Sequence, residues 1–194
     1  MLTKRIAFIG GACSGKTVLA MDATVALKKR GRNVEYIQEW VRGDIAEHGP
    51  MEHVNEQYRI LAHNLREESK HSSHTEYVLI DGGCLTGYFY TALYGTAARD
   101  RLAISEMYET FVKFLFERRY HLIFVVDRMP VARAGVDHRD GIRVQTEEQL
   151  AALDEFIKLM LLKVHKMDHH IAVDCALGQR TDFVLKTIEE FERR

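Results

Sequence analysis

The sequence predicts an α/β fold in which a five-stranded parallel sheet carries helices on both faces. Short apolar runs of strand length alternate along the chain with longer segments whose apolar residues recur at helical spacing. The 194 residues include only 2 prolines and 13 glycines, with no repeat and no low-complexity tract. Because such a chain offers no evident linker, we expect residues 1–194 to form a single domain with three layers.

Charge and composition make a membrane protein or a secreted protein unexpected and weaken, without excluding, a nucleic-acid substrate. The formal net charge of −1 gives no overall basic field that would draw the chain to nucleic acid or to an anionic membrane. No apolar run approaches the roughly 18 residues that a membrane span requires. The three cysteines are odd in number and unevenly spaced, as expected for thiols in a reducing compartment. We expect a cytoplasmic protein with no membrane partner, and the sequence is compatible with a homodimer.

A glycine-rich loop joins the first predicted strand, residues 5–9, to the first predicted helix, residues 18–27. The loop matches the pattern G-x-x-x-x-G-K-[ST] in full with Gly10, Gly11, Ala12, Cys13, Ser14, Gly15, Lys16 and Thr17. Its glycines let backbone amides face a polyphosphate, and the helix that continues at Val18 directs its positive end to the same anion. The pattern predicts a phosphate loop (P-loop), with Lys16 on the β- and γ-phosphates and the Thr17 hydroxyl on Mg²⁺.

A second predicted strand, residues 33–38, is followed by Glu39-Trp40-Val41-Arg42. Ligands of parallel sheets bind beyond the carboxyl ends of the strands, so Glu39 is a candidate general base or an indirect partner of Mg²⁺. Arg42 is a candidate contact to the acceptor or to phosphate. The alternatives are a surface salt bridge for Glu39 and an ordinary surface arginine.

A long helical pattern follows at residues 52–71, and its apolar stripe predicts packing against the core. We expect residues of about 40–75 to supply the helices on the acceptor side, with Gln57 among them.

The third predicted strand, residues 76–81, reads EYVLID and ends in a carboxylate. An apolar strand that ends in aspartate downstream of a P-loop has the form of a Walker B element, so Asp81 is predicted to bind Mg²⁺ directly or through water. Asp81 is also a candidate catalytic residue, because either Glu39 or Asp81 could orient the acceptor hydroxyl. Helices are predicted at residues 85–93 and 104–118.

The fourth predicted strand, residues 121–127, leads into an arginine-rich segment of about residues 128–145. This segment contains Arg128, Arg133, Arg139 and Arg143. A solvated loop is one interpretation, and the other is a lid whose arginines close over ATP and stabilise charge on the transferred phosphoryl group. We favour the lid, and any of its four arginines could act on the transferred group; Arg133 and Arg139 are candidates for contact with the nucleotide and Arg143 is a candidate catalytic residue. A helix at 146–164, a fifth strand at 169–173 and a helix at 182–193 complete the expected P-loop NTPase fold.

The sequence lacks the motifs that define two other classes of P-loop protein. The guanine-binding Asn-Lys-x-Asp motif of GTPases is absent after the fourth strand, where Asp127-Arg128-Met129-Pro130 stands, so ATP is the better expectation. An oligomeric AAA-type motor would carry adjacent acidic residues at the Walker B position, yet Gly82 follows Asp81. An early acceptor region and a late arginine lid are instead typical of small-molecule kinases.

The chain as a whole resembles the nucleoside and nucleotide kinase branch of P-loop proteins. It is most similar to the family of the ribosylnicotinamide kinase domain of the bacterial NAD regulator and of phage ATPase/kinase-like proteins. The shared motifs are the loop GGACSGKT, Glu39-Trp40-Val41-Arg42, Glu56-Gln57 and Asp140-Gly141-Ile142-Arg143. The resemblance implies ATP and Mg²⁺ at Lys16, Thr17 and Asp81, acceptor contacts near Glu39, Arg42 and Gln57, and phosphate contacts from Arg143. If the chain is encoded by a phage, its compartment would be the host cytoplasm.

The acceptor stays open at this stage. The third strand ends Asp-Gly-Gly and the arginine segment is several residues longer than in the bacterial kinase domain, so nicotinamide riboside is not assumed. Related phage kinases phosphorylate 5-hydroxymethyluracil in DNA, which makes modified DNA an alternative acceptor. Only Arg42 and Arg59 supply positive charge on the acceptor side, which favours a free nucleoside or nucleotide. The third hypothesis is an ATP-binding regulatory switch without an acceptor.

Overall fold

The structure, a computed structural model, describes residues 3–49, 56–71, 74–95, 97–133 and 145–193, without the side chains of residues 42, 46, 99 and 133. Five strands form one sheet: β1 (Lys4–Ile9), β2 (Val34–Ile37), β3 (Tyr77–Asp81), β4 (Leu122–Val126) and β5 (His170–Val173). The order across the sheet is β2-β3-β1-β4-β5, and every neighbouring pair is parallel. The five predicted strands are confirmed, with ends that agree within one residue.

Helices cover both faces of the sheet. Within the described residues they are α1 (Lys16–Lys29), α2 (Val41–His48), α3 (Gln57–Ser69), α4 (Thr86–Tyr94), α5 (Arg101–Phe116), α6 (Met129–Arg133), α7 (Glu147–Lys158) and α8 (Arg180–Glu192). A π-helical stretch, Leu159–Val164, extends α7. The helix predicted at 52–71 begins at Gln57 in the described part, because residues 50–55 lie outside it. None of the helices described here is long and apolar enough to cross a membrane.

The central strand β1 shows how the two layers of helices are held. Successive strand side chains point to opposite faces, so Ile6 and Phe8 pack with α1 and α8, whereas Ala7 and Ile9 pack with α3, α4, α5 and α7. All four of these side chains are almost completely buried. A strand that is buried on both faces reads as a continuous apolar run, as expected for a parallel sheet. The predicted three-layer P-loop NTPase fold is therefore confirmed.

The strand order brings the candidate residues to one edge of the sheet. The P-loop follows β1, Asp81 ends β3, and Glu39 comes two residues after β2. Because β1 lies between β3 and β4, with β2 next to β3, these three carboxyl ends adjoin one another. Residues that were predicted from separate parts of the sequence to share a site therefore lie at one edge of the sheet.

Candidate active site

The P-loop has the backbone that an anion-binding loop needs. Gly15 has φ of +79° and is the residue that precedes α1, and Cys13 has φ of +63°. A left-handed conformation at Gly15 carries no penalty because glycine has no Cβ. No described side chain caps the start of α1, so its first amides and the positive end of its dipole are available to a bound anion.

Lys16 lies between the P-loop and the end of β2. Only 4% of the residue is exposed, and its Nζ is 3.1 Å from Oε2 of Glu39. Burial by itself lowers the pKa of Lys16, but the nearby carboxylates of Glu39 and Asp81 outweigh burial and raise that pKa above its ordinary value. Lys16 is therefore a fixed cation at neutral pH, and two predicted catalytic residues are in direct contact.

Asp81 contacts the loop from the end of β3. The Thr17 hydroxyl donates a hydrogen bond of 2.6 Å to Oδ2 of Asp81, and the Tyr36 hydroxyl donates a longer one of 3.5 Å to the same oxygen. Burial raises the pKa of Asp81, against the opposing effect of Lys16. Its other oxygen, Oδ1, is buried and has no hydrogen-bond partner among the described residues.

The pair Thr17 and Asp81 fits a magnesium ion. Mg²⁺ prefers hard oxygen ligands, and a hydroxyl and a carboxylate meet here beside a loop suited to phosphate. The unpartnered Oδ1 of Asp81 is a buried acceptor whose desolvation a cation would offset.

A cavity of about 370 Å³ opens beside Glu39. It is lined by residues from β2, the β2–α2 connection and two helices: Tyr36, Ile37, Gln38, Glu39, Trp40, Gly43, His63 and Glu67. The rings of Trp40 and His63 stack in parallel with centroids 4.0 Å apart. The described lining thus combines one aromatic wall with two carboxylates and contains no lysine or arginine.

An ion pair fastens the two helices that border this cavity. Arg59 of α3 donates two hydrogen bonds of 2.6 Å to the carboxylate of Asp44, which is fully buried on α2. This bidentate geometry is the strong form of an arginine–carboxylate pair. Gln57 is buried at the start of α3 but does not line the cavity. The side chain of Arg42 lies outside the described residues.

A buried carboxylate, Glu68, organises the turn that follows Asp81. It accepts hydrogen bonds from the Cys84 amide at 3.2 Å, the Tyr120 hydroxyl at 2.8 Å and Nε of Arg119 at 2.8 Å. Burial, together with Glu68, raises the pKa of the Cys84 thiol, which therefore stays protonated. Glu68 thus links α3 to the end of β3 and restricts the position of Asp81.

Gly83 lies in this turn, and its surroundings leave no room for a Cβ atom. Its φ is +77°, and an added Cβ would lie 2.7 Å from the Tyr120 hydroxyl oxygen and 3.0 Å from Cγ2 of Ile80. We expect Gly83→Ala to lower the free energy of unfolding by about 2–4 kcal/mol, through backbone strain and overpacking together. Gly31→Ala is the matched control, because Gly31 has φ of +76° with no atom within 4 Å of the added Cβ. Its cost should be about 1 kcal/mol in urea denaturation, and equal losses in the two variants would contradict the packing argument.

The arginine-rich segment is described only at its two ends. Arg128 is buried and forms two ion pairs with α7. Its Nε lies 3.0 Å from Oδ2 of Asp154, and its Nη1 lies 2.8 Å from Oε2 of Glu147. Arg128 therefore joins the end of β4 to α7. Arg133 ends α6 with its side chain outside the described residues, and residues 134–144, with Arg139 and Arg143, lie outside them entirely. Their lid function stays a prediction.

A second, smaller cavity of about 180 Å³ lies on the other side of the P-loop. Its lining is mostly apolar and comes from α1, α6 and the start of α8: Gly15, Val18, Leu19, Asp22, Val131, Leu177, Arg180 and Thr181. Val18, predicted to bind the nucleotide, is among these residues and is largely exposed.

Sequence patterns did not identify several residues of the site. Tyr36 and Trp40 flank the predicted end of β2, where their position next to Glu39 was an available signal. His63 and Glu67 are one turn apart on α3, and a search for polar residues at helical spacing would have grouped them. Glu68 and Arg180 carry no local signal, because their partners are distant in the chain.

Comparisons with known proteins agree with this architecture. A family model described as an AAA domain, AAA_28, matches residues 5–174. No curated protein sequence matches the chain. Among solved structures, the NadR protein in complex with NR superposes with a TM-score of 0.70 at 17% identity, over 97% of this chain and 51% of that chain. Deoxyadenosine kinase from M. mycoides, with products dCMP and a flexible dCDP bound, gives a TM-score of 0.65 at 15% identity, over 96% and 99%. The chain therefore spans about half of NadR, and at these identities the similarity establishes a shared fold.

Proposed function

Because the chain belongs to the AAA domain family AAA_28, we propose that it is a P-loop kinase that transfers the γ-phosphoryl group of ATP, with Mg²⁺, to a hydroxyl of a nucleoside-type acceptor. The supporting observation is the contact of 3.1 Å between Lys16 and Glu39. It joins a phosphate-binding cation to a carboxylate that lines a separate cavity large enough for a small organic molecule.

Phosphoryl transfer depends mainly on positioning and on neutralisation of charge. Lys16, held as a cation, would contact the β- and γ-phosphates, while the loop amides bind the remaining oxygens. Thr17 and Asp81 would hold Mg²⁺, which supplies charge neutralisation on the same phosphates. Arginines of the 128–145 segment, with Arg143 as the leading candidate, would stabilise charge on the transferred group.

Glu39 is the proposed general base. The acceptor oxygen forms the new bond to the γ-phosphorus, the bond to the β–γ bridging oxygen breaks, and the acceptor proton passes to Glu39 as ADP leaves. Asp81 is less suited to this step, because it is the proposed ligand of Mg²⁺ and is not among the described residues that line the cavity. Glu39 lines the acceptor cavity directly.

The lining of the cavity favours an uncharged nucleoside as the acceptor. Trp40 offers an aromatic face on which a base can stack, and the Glu39 and Glu67 carboxylates can accept hydrogen bonds from hydroxyl or amino groups. An acceptor that carries phosphate, whether a nucleotide or DNA, would find no lysine or arginine in the described lining of the cavity. The nearby Lys16 and Lys70 are already paired with Glu39 and Glu67. Arg59 does not compensate, because Asp44 already engages its guanidinium. The similarity in fold to a deoxyadenosine kinase and to the NadR protein in complex with NR supports the same choice.

An acceptor screen with γ-labelled ATP tests the proposal. Nucleosides, nucleoside monophosphates and duplex DNA that contains 5-hydroxymethyluracil are each incubated with the protein and labelled Mg²⁺-ATP. We expect label on free nucleosides, and none on any acceptor when Lys16→Ala is used. Label on the modified DNA alone would instead support base hypermodification in DNA. Slow hydrolysis that no acceptor changes would support a regulatory switch.

A further inference from the structure

Arg180, the first residue of α8, connects three parts of the nucleotide-binding edge. Its Nη1 donates a hydrogen bond of 2.8 Å to the carbonyl of Ser14 in the P-loop. Its Nη2 donates to the carbonyl of Asp127 after β4, and its Nε donates at 3.4 Å to the carbonyl of Cys175 after β5. One guanidinium thus ties the loop to the ends of two strands.

Burial of an arginine at this position lowers the stability of the fold, so stability by itself does not explain why Arg180 is there. Only 3% of Arg180 is exposed, and no carboxylate in the described part of the chain forms an ion pair with it. It also stands in the first turn of a helix, where the dipole disfavours a cation. Docking of α8 does not depend on it, because Val184, Leu185 and Ile188 already bury that helix against the sheet.

The bond to Ser14 fixes the direction of one peptide plane in the P-loop. The C=O of Ser14 and the N–H of Gly15 belong to the same trans peptide and point in opposite directions. With the carbonyl held by Arg180, the Gly15 amide is directed away from Arg180. Gly15 lies between Ser14 and Lys16, where an inward-pointing amide would contribute to the anion-binding concavity.

The same side chain lines the cavity of about 180 Å³ beside the loop. Apolar side chains of Val131 and Leu177 form that cavity with Thr181, so it suits the flat face of a nucleobase. Arg180 therefore contacts the phosphate-binding loop and also lines the cavity next to it. The first contact would affect binding of the triphosphate, and the second would affect binding of the base.

We propose that Arg180 is a positioning residue that holds the Ser14–Gly15 peptide in its anion-binding orientation. Arg180 then contributes to the binding of the triphosphate and not to the binding of the base. This inference rests on the proposed binding of ATP by the P-loop. It predicts that loss of Arg180 weakens binding of any polyphosphate, including one that carries no base.

Titrations with Mg²⁺-ATP and with Mg²⁺-tripolyphosphate, which lacks the nucleoside, separate the two roles. We expect Arg180→Gln to weaken both ligands by a similar factor of about 10- to 100-fold, as for a lost hydrogen bond from a charged group. Arg180→Lys, which keeps the charge and can still donate to a carbonyl but lacks the fork of the guanidinium, should recover part of the loss. Thr181 lines the same cavity but forms no described hydrogen bond to the loop. Thr181→Ala should therefore weaken the binding of ATP and leave the binding of tripolyphosphate unchanged.

Hydrogen exchange of the ligand-free proteins provides a second readout. Amides of residues 10–17 should exchange faster in Arg180→Gln than in the unaltered protein, while those of β5 and of the centre of α8 keep their protection. If Arg180→Gln fails to fold, the exchange of the same amides is compared between Arg180→Lys and the unaltered protein.

The outcomes are distinguishable. Weaker binding of ATP with unchanged binding of tripolyphosphate would overturn the inference and assign Arg180 to the base. Unchanged exchange of the loop would overturn it as well. If the unaltered protein bound neither ligand, the proposed function itself would fail, and the exchange data would still decide whether Arg180 holds the loop.

Discussion

Replacing Lys16 by alanine is expected to reduce phosphoryl transfer by about 10³-fold or more, in line with the loss of a group that neutralises charge in the transition state. Lys16 is the buried cation of the site, in contact with Glu39 and close to Asp81. Without it, two carboxylates would face the phosphates with no compensating charge from this position. The measurement is steady-state transfer of label from ATP to a nucleoside.

Lys28→Ala is the matched control for this prediction. Lys28 is an exposed lysine in the last turn of the same helix, α1, so its loss should leave transfer unchanged. Circular dichroism of both variants separates a catalytic loss from unfolding. Near-full activity in a folded Lys16→Ala protein would show that this loop is not the phosphate-binding site.

Glu39→Gln is expected to lower kcat by about 10²- to 10⁴-fold, the usual contribution of a general base, while the affinity for ATP changes only a few-fold. The substitution keeps the size of the side chain and an oxygen that can still accept from Lys16. It removes the carboxylate that would take the proton of the acceptor. Single-turnover rates and calorimetric titration with Mg²⁺-ATP measure the two effects separately.

Glu67→Gln provides the comparison for Glu39. Glu67 lines the same cavity from α3 but forms no ion pair with Lys16 in the described structure. Its loss should therefore act mainly on KM for the acceptor. A Glu39→Gln protein that loses kcat and ATP affinity to the same extent would indicate that Glu39 supports the loop structurally instead of acting as the base.

The strands β1, β3 and β4 were predictable because most of their side chains are buried on both faces and each strand ends abruptly. Residues 6–9 of β1 and 77–80 of β3 are continuous apolar runs, and a glycine follows each strand. The short helix α2 gave a weaker signal. No described side chain caps it, it contains Gly43, and it spans only Val41–His48, so neither caps nor periodicity mark it.

The centre of the site was predictable for a topological reason. Lys16, Glu39 and Asp81 each follow a strand of one parallel sheet, and strand ends converge at the same edge. The surrounding contacts were not predictable, because they join residues with no local pattern. Arg180 and Ser14 are 166 positions apart, and only the packing of α8 beside β5 and α1 brings them together.

The family name does not alter this account of the chemistry. Gly82 follows Asp81, so the paired acidic residues of an AAA-type motor are absent from this position. An added Cβ at Gly82 would lie 3.5 Å from Oε1 of Glu39, which shows that the second carboxylate near Asp81 comes from beyond β2. That carboxylate lines the cavity of about 370 Å³ in which the kinase proposal places the acceptor.

The stoichiometry of products tests the central claim most directly. ADP and phosphorylated nucleoside are quantified together during turnover of Mg²⁺-ATP, with and without the nucleoside that the screen identifies. A kinase of the proposed type forms the two products in equal amounts, and ADP release falls to background when the nucleoside is omitted. Release of ADP and inorganic phosphate at the same rate with or without any acceptor would contradict the assignment.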